Sequence, residues 1–134
     1  MRSKSRRLIV SSLVIPLGLS TVAAACGDDA PPVKLSAQGR EGELVAKELS
    51  CAGCHSADGD ELAGPTWKGL YGSTITLKGG KKITVDDEYI ERAIRDPNAE
   101  RREDAGNAMP MFDEDRLSAD QLADLIAYIK DLSA

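Results

Sequence analysis

Apolar residues recur at helical spacing in three stretches of the chain and alternate with polar ones in a fourth. Positions Leu44, Val45, Glu48 and Leu49 mark a helix over about residues 40–49. Gly42 in that helix has no side chain and lets another helix approach closely, at a modest cost in helix propensity. Tyr89, Ile90, Ala93 and Ile94 form the buried face of a second helix, which Pro97 stops. Thr84 or Asp86 caps its start, with Asp86, Asp87 and Glu88 near the positive end of the helix dipole. Leu122, Leu125, Ile126 and Ile129 make the inner stripe of a third helix over about 118–132, with Tyr128 toward one flank and a Ser118–Gln121 capping box at its start. Residues 73–77 and 81–85 alternate around Lys78-Gly79-Gly80, which predicts a small hairpin. Residues 56–63 and 98–108 are polar and read as loops, the second wrapping something.

The first 25 residues belong to none of these elements. Arg2, Lys4, Arg6 and Arg7 precede an apolar run from Leu8 to Ala25 that Pro16 and Gly18 interrupt, and Ala23-Ala24-Ala25 supplies small residues for cleavage. This is the pattern of an export signal, so the expected location is the periplasmic side of a bacterial membrane. Val22-Ala23-Ala24-Ala25-Cys26 followed by Gly27-Asp28-Asp29 resembles a bacterial lipoprotein signal, with Ala23 where leucine is usual. On that reading Cys26 is lipidated and anchors the protein to the membrane; ordinary cleavage after Ala25 is the alternative. Residues 26–38, with Pro31 and Pro32, then form the lipidated N-terminus and a tether, and 39–134 one small domain.

Charge narrows the function classes. The chain holds 22 acidic and 17 basic residues, and four of the basic ones leave with the signal, so 13 remain and the mature net charge is minus 9. Such an acidic chain is not a nucleic-acid binder. The aromatic content, one Trp, three Tyr and one Phe, is thin for a self-sufficient core of this size.

The strongest chemical signal is Cys51-Ala52-Gly53-Cys54-His55, which holds the one histidine of the chain. Two thiols at this spacing reach the two vinyl groups on one porphyrin edge, and the adjacent imidazole comes up beneath the iron. A redox C-x-x-C pair belongs in a βαβ setting that is missing from this pattern. A structural zinc site needs four ligands, whereas Cys51, Cys54 and His55 make three. The motif therefore points to one covalent haem c, which also supplies the missing core volume, and the apoprotein is expected to be largely unfolded.

Gly64-Pro65-Thr66-Trp67-Lys68-Gly69-Leu70-Tyr71-Gly72 follows the haem motif, and the chain as a whole resembles a class I cytochrome c. The resemblance implies a mainly α fold, three principal helices around the haem with one small hairpin, and a last helix that crosses the first near Gly42. It implies that the Pro65 carbonyl accepts the Nδ1 hydrogen of His55. It also implies that Met109, in Met109-Pro110, is the sulfur ligand opposite His55, with Met111 as the other candidate. The run from Gly64 through Arg95-Asp96-Pro97-Asn98 to Met109-Pro110-Met111-Phe112 is similar to the cytochrome c domain fused to subunit II of caa3-type oxidases. No copper domain or pair of membrane helices precedes it in the chain, so the expectation is the same module on a lipid tether and not an oxidase subunit. One departure concerns packing: an aromatic residue is common in the first helix about a turn before the haem cysteines, and here that neighbourhood holds Ala46 and Lys47. Val45, Leu49 or Tyr128 must supply the volume.

The resulting expectation is a monomeric electron carrier, not an enzyme, that serves a respiratory donor and a terminal oxidase or reductase. Its redox partners carry a basic docking patch that complements the acidic surface. The alternatives are a peroxidase or gas sensor with an open or labile sixth position, and a lipoprotein with a redox-silent metal. Iron coordination separates the three.

Overall fold

The computed structural model describes residues 33–106 and 109–134. The export segment, Cys26 and most of the tether lie outside the described residues, as do Asn107 and Ala108.

Helix α1 spans Ala37–Glu48 and so begins inside the segment expected to be tether. Ser36 caps it, its hydroxyl accepting from Gly39 N at 2.9 Å. Ser36 N and Oγ also donate to one carboxylate oxygen of Asp131, at 2.7 and 2.8 Å. Asp131 closes helix α3, Ala119–Asp131, so the start of one helix is tied to the end of the other. The two helices cross at Gly42. A Cβ there would lie 2.8 Å from Tyr128 Cβ and closer still to the Asp124 carbonyl oxygen, which is backbone and has no easy way to yield.

That crossing decides which face of α1 is buried. Gly39, Gly42, Val45 and Ala46 lie inside, whereas Leu44 is 57% exposed. The expected stripe is therefore wrong at Glu48, which is exposed, and at Leu44, which sits two residues past Gly42 and about 200° round the helix, nearly opposite the contact. Hydrophobicity at that position misled because the smallest residues of the helix, not the largest, make the interface.

Helix α3 is built as its pattern predicts. Ser118 and Gln121 satisfy each other's backbone at 3.1 and 3.3 Å, and Leu122, Leu125, Ile126, Tyr128 and Ile129 are buried. Strands β1 (Thr74–Thr76) and β2 (Lys82–Thr84) pair antiparallel with Ile75 opposite Ile83. Gly79 and Gly80 both adopt positive φ at the turn, where a side chain would be strained. Helix α2 spans Asp87–Arg95, is capped by Asp86 accepting from Tyr89 N at 2.8 Å, and buries Tyr89, Ile90 and Ile94.

The loop after α2 has a defined course. Lys78 N donates to Arg101 O at 2.8 Å, Glu103 N donates to Thr76 O at 2.9 Å, and Leu77 and Arg102 form an isolated antiparallel bridge. This stretch lies along β1 without the alternation that would mark a strand in the sequence. Further on, Arg95 donates to the carbonyls of Phe112 and Leu117 at 3.0 and 2.7 Å and so fastens the turn between the loop and α3. Among the described residues no helix is long and apolar enough to cross a membrane.

Candidate functional site: the Cys51–His55 turn and its cavity

Helix α1 ends at a residue with no glycine to help it. Ser50 takes φ 60°, ψ 25°, the left-handed region that L residues rarely visit, and turns the chain into a single 3-10 turn at Cys51–Gly53. His55 N and Cys54 N then both donate to Cys51 O, at 3.0 and 3.1 Å, which folds the two cysteines and the histidine into one tight turn. Cys54 is exposed and Cys51 half-buried, both as free thiols, and burial pushes the Cys51 thiol pKa up.

The imidazole of His55 is held from several directions. Its Nδ1 lies 2.8 Å from the Pro65 carbonyl oxygen. A carbonyl only accepts, so Nδ1 carries the hydrogen and Nε2 keeps its lone pair for a metal. Burial lowers the His55 pKa, against an upward pull from the Pro65 hydrogen bond, and a neutral imidazole is the ligating form. Gly64 must be glycine: a Cβ there would stand 2.6 Å from Cε1 and 2.9 Å from Nδ1 of the ring. Gly64 N in turn donates to Cys54 O at 2.8 Å, and Trp67 N donates to Ser56 O at 2.8 Å, so the segment returns on itself beneath the histidine. The Trp67 ring stacks on His55, centroids 5.1 Å apart and planes 12° from parallel.

A cavity of about 350 Å³ opens beside this turn, lined by Cys51, Cys54 and His55 and, from elsewhere in the fold, by Ile90, Ile94, Phe112, Leu125 and Ile129. Met109 also lines it. Met111 is 60% exposed, and its backbone carbonyl accepts from Arg116 at 3.0 Å. The residues named for the site in the sequence are thus brought together at one cavity, apart from Met111, which stays outside, and Cys26, which is not among the described residues.

Two features went unseen in the sequence. Arg101 and Arg102 line the cavity as well, with Arg102 also paired to Asp104 at 2.8 Å. The charge of the 98–108 tract gave no hint of which cations turn inward. The Trp67–His55 stack was equally hidden, although a lone tryptophan twelve residues past the motif was a signal worth following. The volume that an aromatic residue would fill near Ala46 is not wholly replaced: Ala46 is 2% exposed, and with Trp67 and Tyr128 it lines a second, smaller cavity of about 250 Å³. Tyr128 makes up part of the volume, its ring meeting Trp67 edge-on at 5.9 Å.

The main cavity fits a haem on its own chemistry. Two thiols at vinyl spacing, a neutral imidazole with Nε2 available, apolar walls for the macrocycle and arginines for its carboxylates are all present. By contrast, among the described residues no group of three or more His, Cys, Asp and Glu side chains is placed to hold a bare metal ion.

Comparison with known proteins agrees with this reading. Residues 39–133 match the family model described as Cytochrome c. The chain is 34% identical over 103 residues to a protein named cytochrome c oxidase subunit 2 from Alkalihalophilus pseudofirmus, an alignment covering 76% of this chain and 27% of that one. The chain therefore spans about a quarter of the length of that relative. With three α-helices and one two-stranded sheet among the described residues, and the Cys51–His55 turn beside an apolar cavity, the chain belongs to the cytochrome c family as a class I electron-transfer protein that binds one covalent haem c.

Proposed function

We propose that this protein is a monomeric single-haem carrier, exported and lipid-anchored through Cys26, that passes electrons between a respiratory donor and a terminal oxidase or reductase. Haem c supplies a one-electron Fe(III)/Fe(II) couple when bound. Cys51 and Cys54 hold it by thioethers, His55 ligates through Nε2, and Pro65 fixes the imidazole tautomer by accepting from Nδ1. Met109, which lines the same cavity as His55, would offer its thioether sulfur as the second ligand from the chain. With an imidazole and a thioether both supplied by the chain, the bound group would exchange electrons and leave no position for a substrate. The mature net charge of minus 9, from 22 acidic and 13 basic residues, favours a partner with a basic docking patch, because weak redox encounters gain rate from long-range attraction.

The observation that carries this reading is the contrast between the two mature-chain methionines. Met109 faces the cavity shared with His55, and Met111 is exposed. The test is the weak absorbance band of the oxidised protein that reports iron–sulfur ligation. It is expected to vanish in Met109→Ala and to survive in Met111→Leu. The reverse pattern reassigns the ligand, and absence of the band from the wild type together with rapid peroxide turnover replaces the carrier with an enzyme.

A further inference from the structure

The Pro65 hydrogen bond and the Gly64 contact leave the histidine one freedom. A single hydrogen bond aims Nδ1, but its angular tolerance is broad and the ring still rocks about the axis running toward Nε2. That motion does not change which atom ligates. It changes the direction of the imidazole plane, and with it which iron d orbitals the ligand's π system meets.

Trp67 removes that freedom. Its ring lies 12° from parallel to the imidazole at a centroid separation of 5.1 Å, within the range of an offset stack. Any rocking of His55 tilts one ring edge into the indole face. The indole does not yield easily, because its own backbone N is bonded to Ser56 O at 2.8 Å and it is only 6% exposed. The Tyr128 ring stands against it at 85° and 5.9 Å, and Tyr128 Cβ rests where α3 meets Gly42. The helix crossing, Tyr128, Trp67 and His55 thus form one continuous series of contacts, from the close backbone approach at Gly42 to the proximal ligand.

We propose that Trp67 is a positioning residue for the proximal ligand, setting the plane of the His55 imidazole by a stacked face braced through Tyr128 by the α1–α3 crossing. This rests on His55 being the axial ligand. Trp67 touches neither electron partner nor iron in this role; it acts through His55.

The readout is the pattern of haem-methyl resonances in the oxidised, paramagnetic holoprotein, whose spread and order follow the orientations of the iron's ligands, the imidazole plane among them. Trp67→Phe keeps an aromatic face, whereas Trp67→Leu keeps apolar volume and loses the plane. The pattern is expected to change order in Trp67→Leu and to stay close to wild type in Trp67→Phe. A wild-type pattern in Trp67→Leu overturns the proposal, as does an equal change in both variants, which would mark simple loss of core packing. Should Trp67→Leu fail to mature, the wild type decides: in the reduced, diamagnetic holoprotein, cross-relaxation between indole and His55 ring protons is expected, and its absence overturns the stack. These failures leave the iron–sulfur band of the wild type intact, whereas failure of the carrier reading removes it.

Discussion

The two segments that supply the ligand candidates for the cavity, residues 51–67 and the described parts of 98–117 (98–106 and 109–117), are held in different ways. The first closes on itself: Gly64 N to Cys54 O, Trp67 N to Ser56 O and His55 Nδ1 to Pro65 O all join residues ten or eleven apart. The second leans on distant parts of the chain, through Lys78 to Arg101, Thr76 to Glu103, Ile94 to Phe112 and Arg95 to Leu117. A wall made of local closures keeps its shape with little help. A wall made of distant tethers keeps its shape only while the hairpin, α2 and the cavity contents stay in place. His55 therefore belongs to the stiff side of the site, and Met109, the proposed sulfur ligand, to the compliant side.

Removing the cavity's contents is the most severe way to break that comparison. Cys51→Ala with Cys54→Ala is expected to leave no haem on the polypeptide after acid–acetone extraction or denaturing electrophoresis. Most of the helical circular-dichroism signal should disappear as well, because domains this small are marginal without an added core. Any residual protection in hydrogen exchange should lie in α1, α3 and the local closures of residues 51–67, and not in residues 98–112. Uniform protection of both segments in the apoprotein would show that the second is as self-sufficient as the first.

The support beneath the stiff side comes next. Gly42→Val places carbon atoms against the Asp124 carbonyl and Tyr128 Cβ, a backbone contact that relaxes only if the helices separate. Overpacking of this kind costs about 3 kcal/mol, well beyond the few tenths gained from helix propensity. Denaturant unfolding of the holoprotein measures it. A change below about 1 kcal/mol would mean that the crossing adjusts freely and does not brace the histidine side.

The compliant side should respond differently to Arg95→Met. Its guanidinium donates to two carbonyls, Phe112 and Leu117, and the loss of such charge-assisted bonds costs about 2 kcal/mol. The distinguishing sign is order of events. In this variant the iron–sulfur band should disappear at a lower denaturant concentration than the main unfolding transition, whereas in Gly42→Val the two should move together.

The same division governs how much was legible beforehand. The haem turn was readable because covalent chemistry demands its spacing, and the Ser118–Gln121 and Asp86 caps because an N-cap is decided by residues three apart. Leu44 was misplaced because a helix's buried face is chosen by the partner helix, and here the partner selects Gly42 and Ala46. Ser50 in a left-handed turn carried no glycine to announce it, and residues 101–103 pair with the hairpin by too short a run to show alternation. For Leu44 and for residues 101–103 the missing information lies in residues far away along the chain, at the α3 crossing and in the hairpin.

The smallest effect concerns the ion pair that joins α2 to α3, Asp87 with Lys130. Lys130 Nζ lies 2.7 Å from one carboxylate oxygen of Asp87 and 4.9 Å from the Tyr71 ring centroid. The hydrogen bond from Lys130 is the main cause holding the Asp87 pKa below its ordinary value, and the same bond raises that of Lys130. Both side chains are exposed, so solvent screens the pair and its contribution is about 0.5 kcal/mol. The signs define a window. A carboxylate with a depressed folded pKa contributes stability that is present above its unfolded value near 3.9 and is lost as pH falls through the lower folded one. An ammonium with a raised folded pKa contributes stability that is present below its unfolded value near 10.4 and is lost as pH rises through the higher folded one. Lys130→Met should therefore differ from wild type by about 0.5 kcal/mol at neutral pH and low salt, with the gap closing in strong acid and at about 1 M salt. A gap of about 2 kcal/mol that persists at high salt would mean that charge, and not the filled cavity and its apolar walls, joins α2 to the terminal helices.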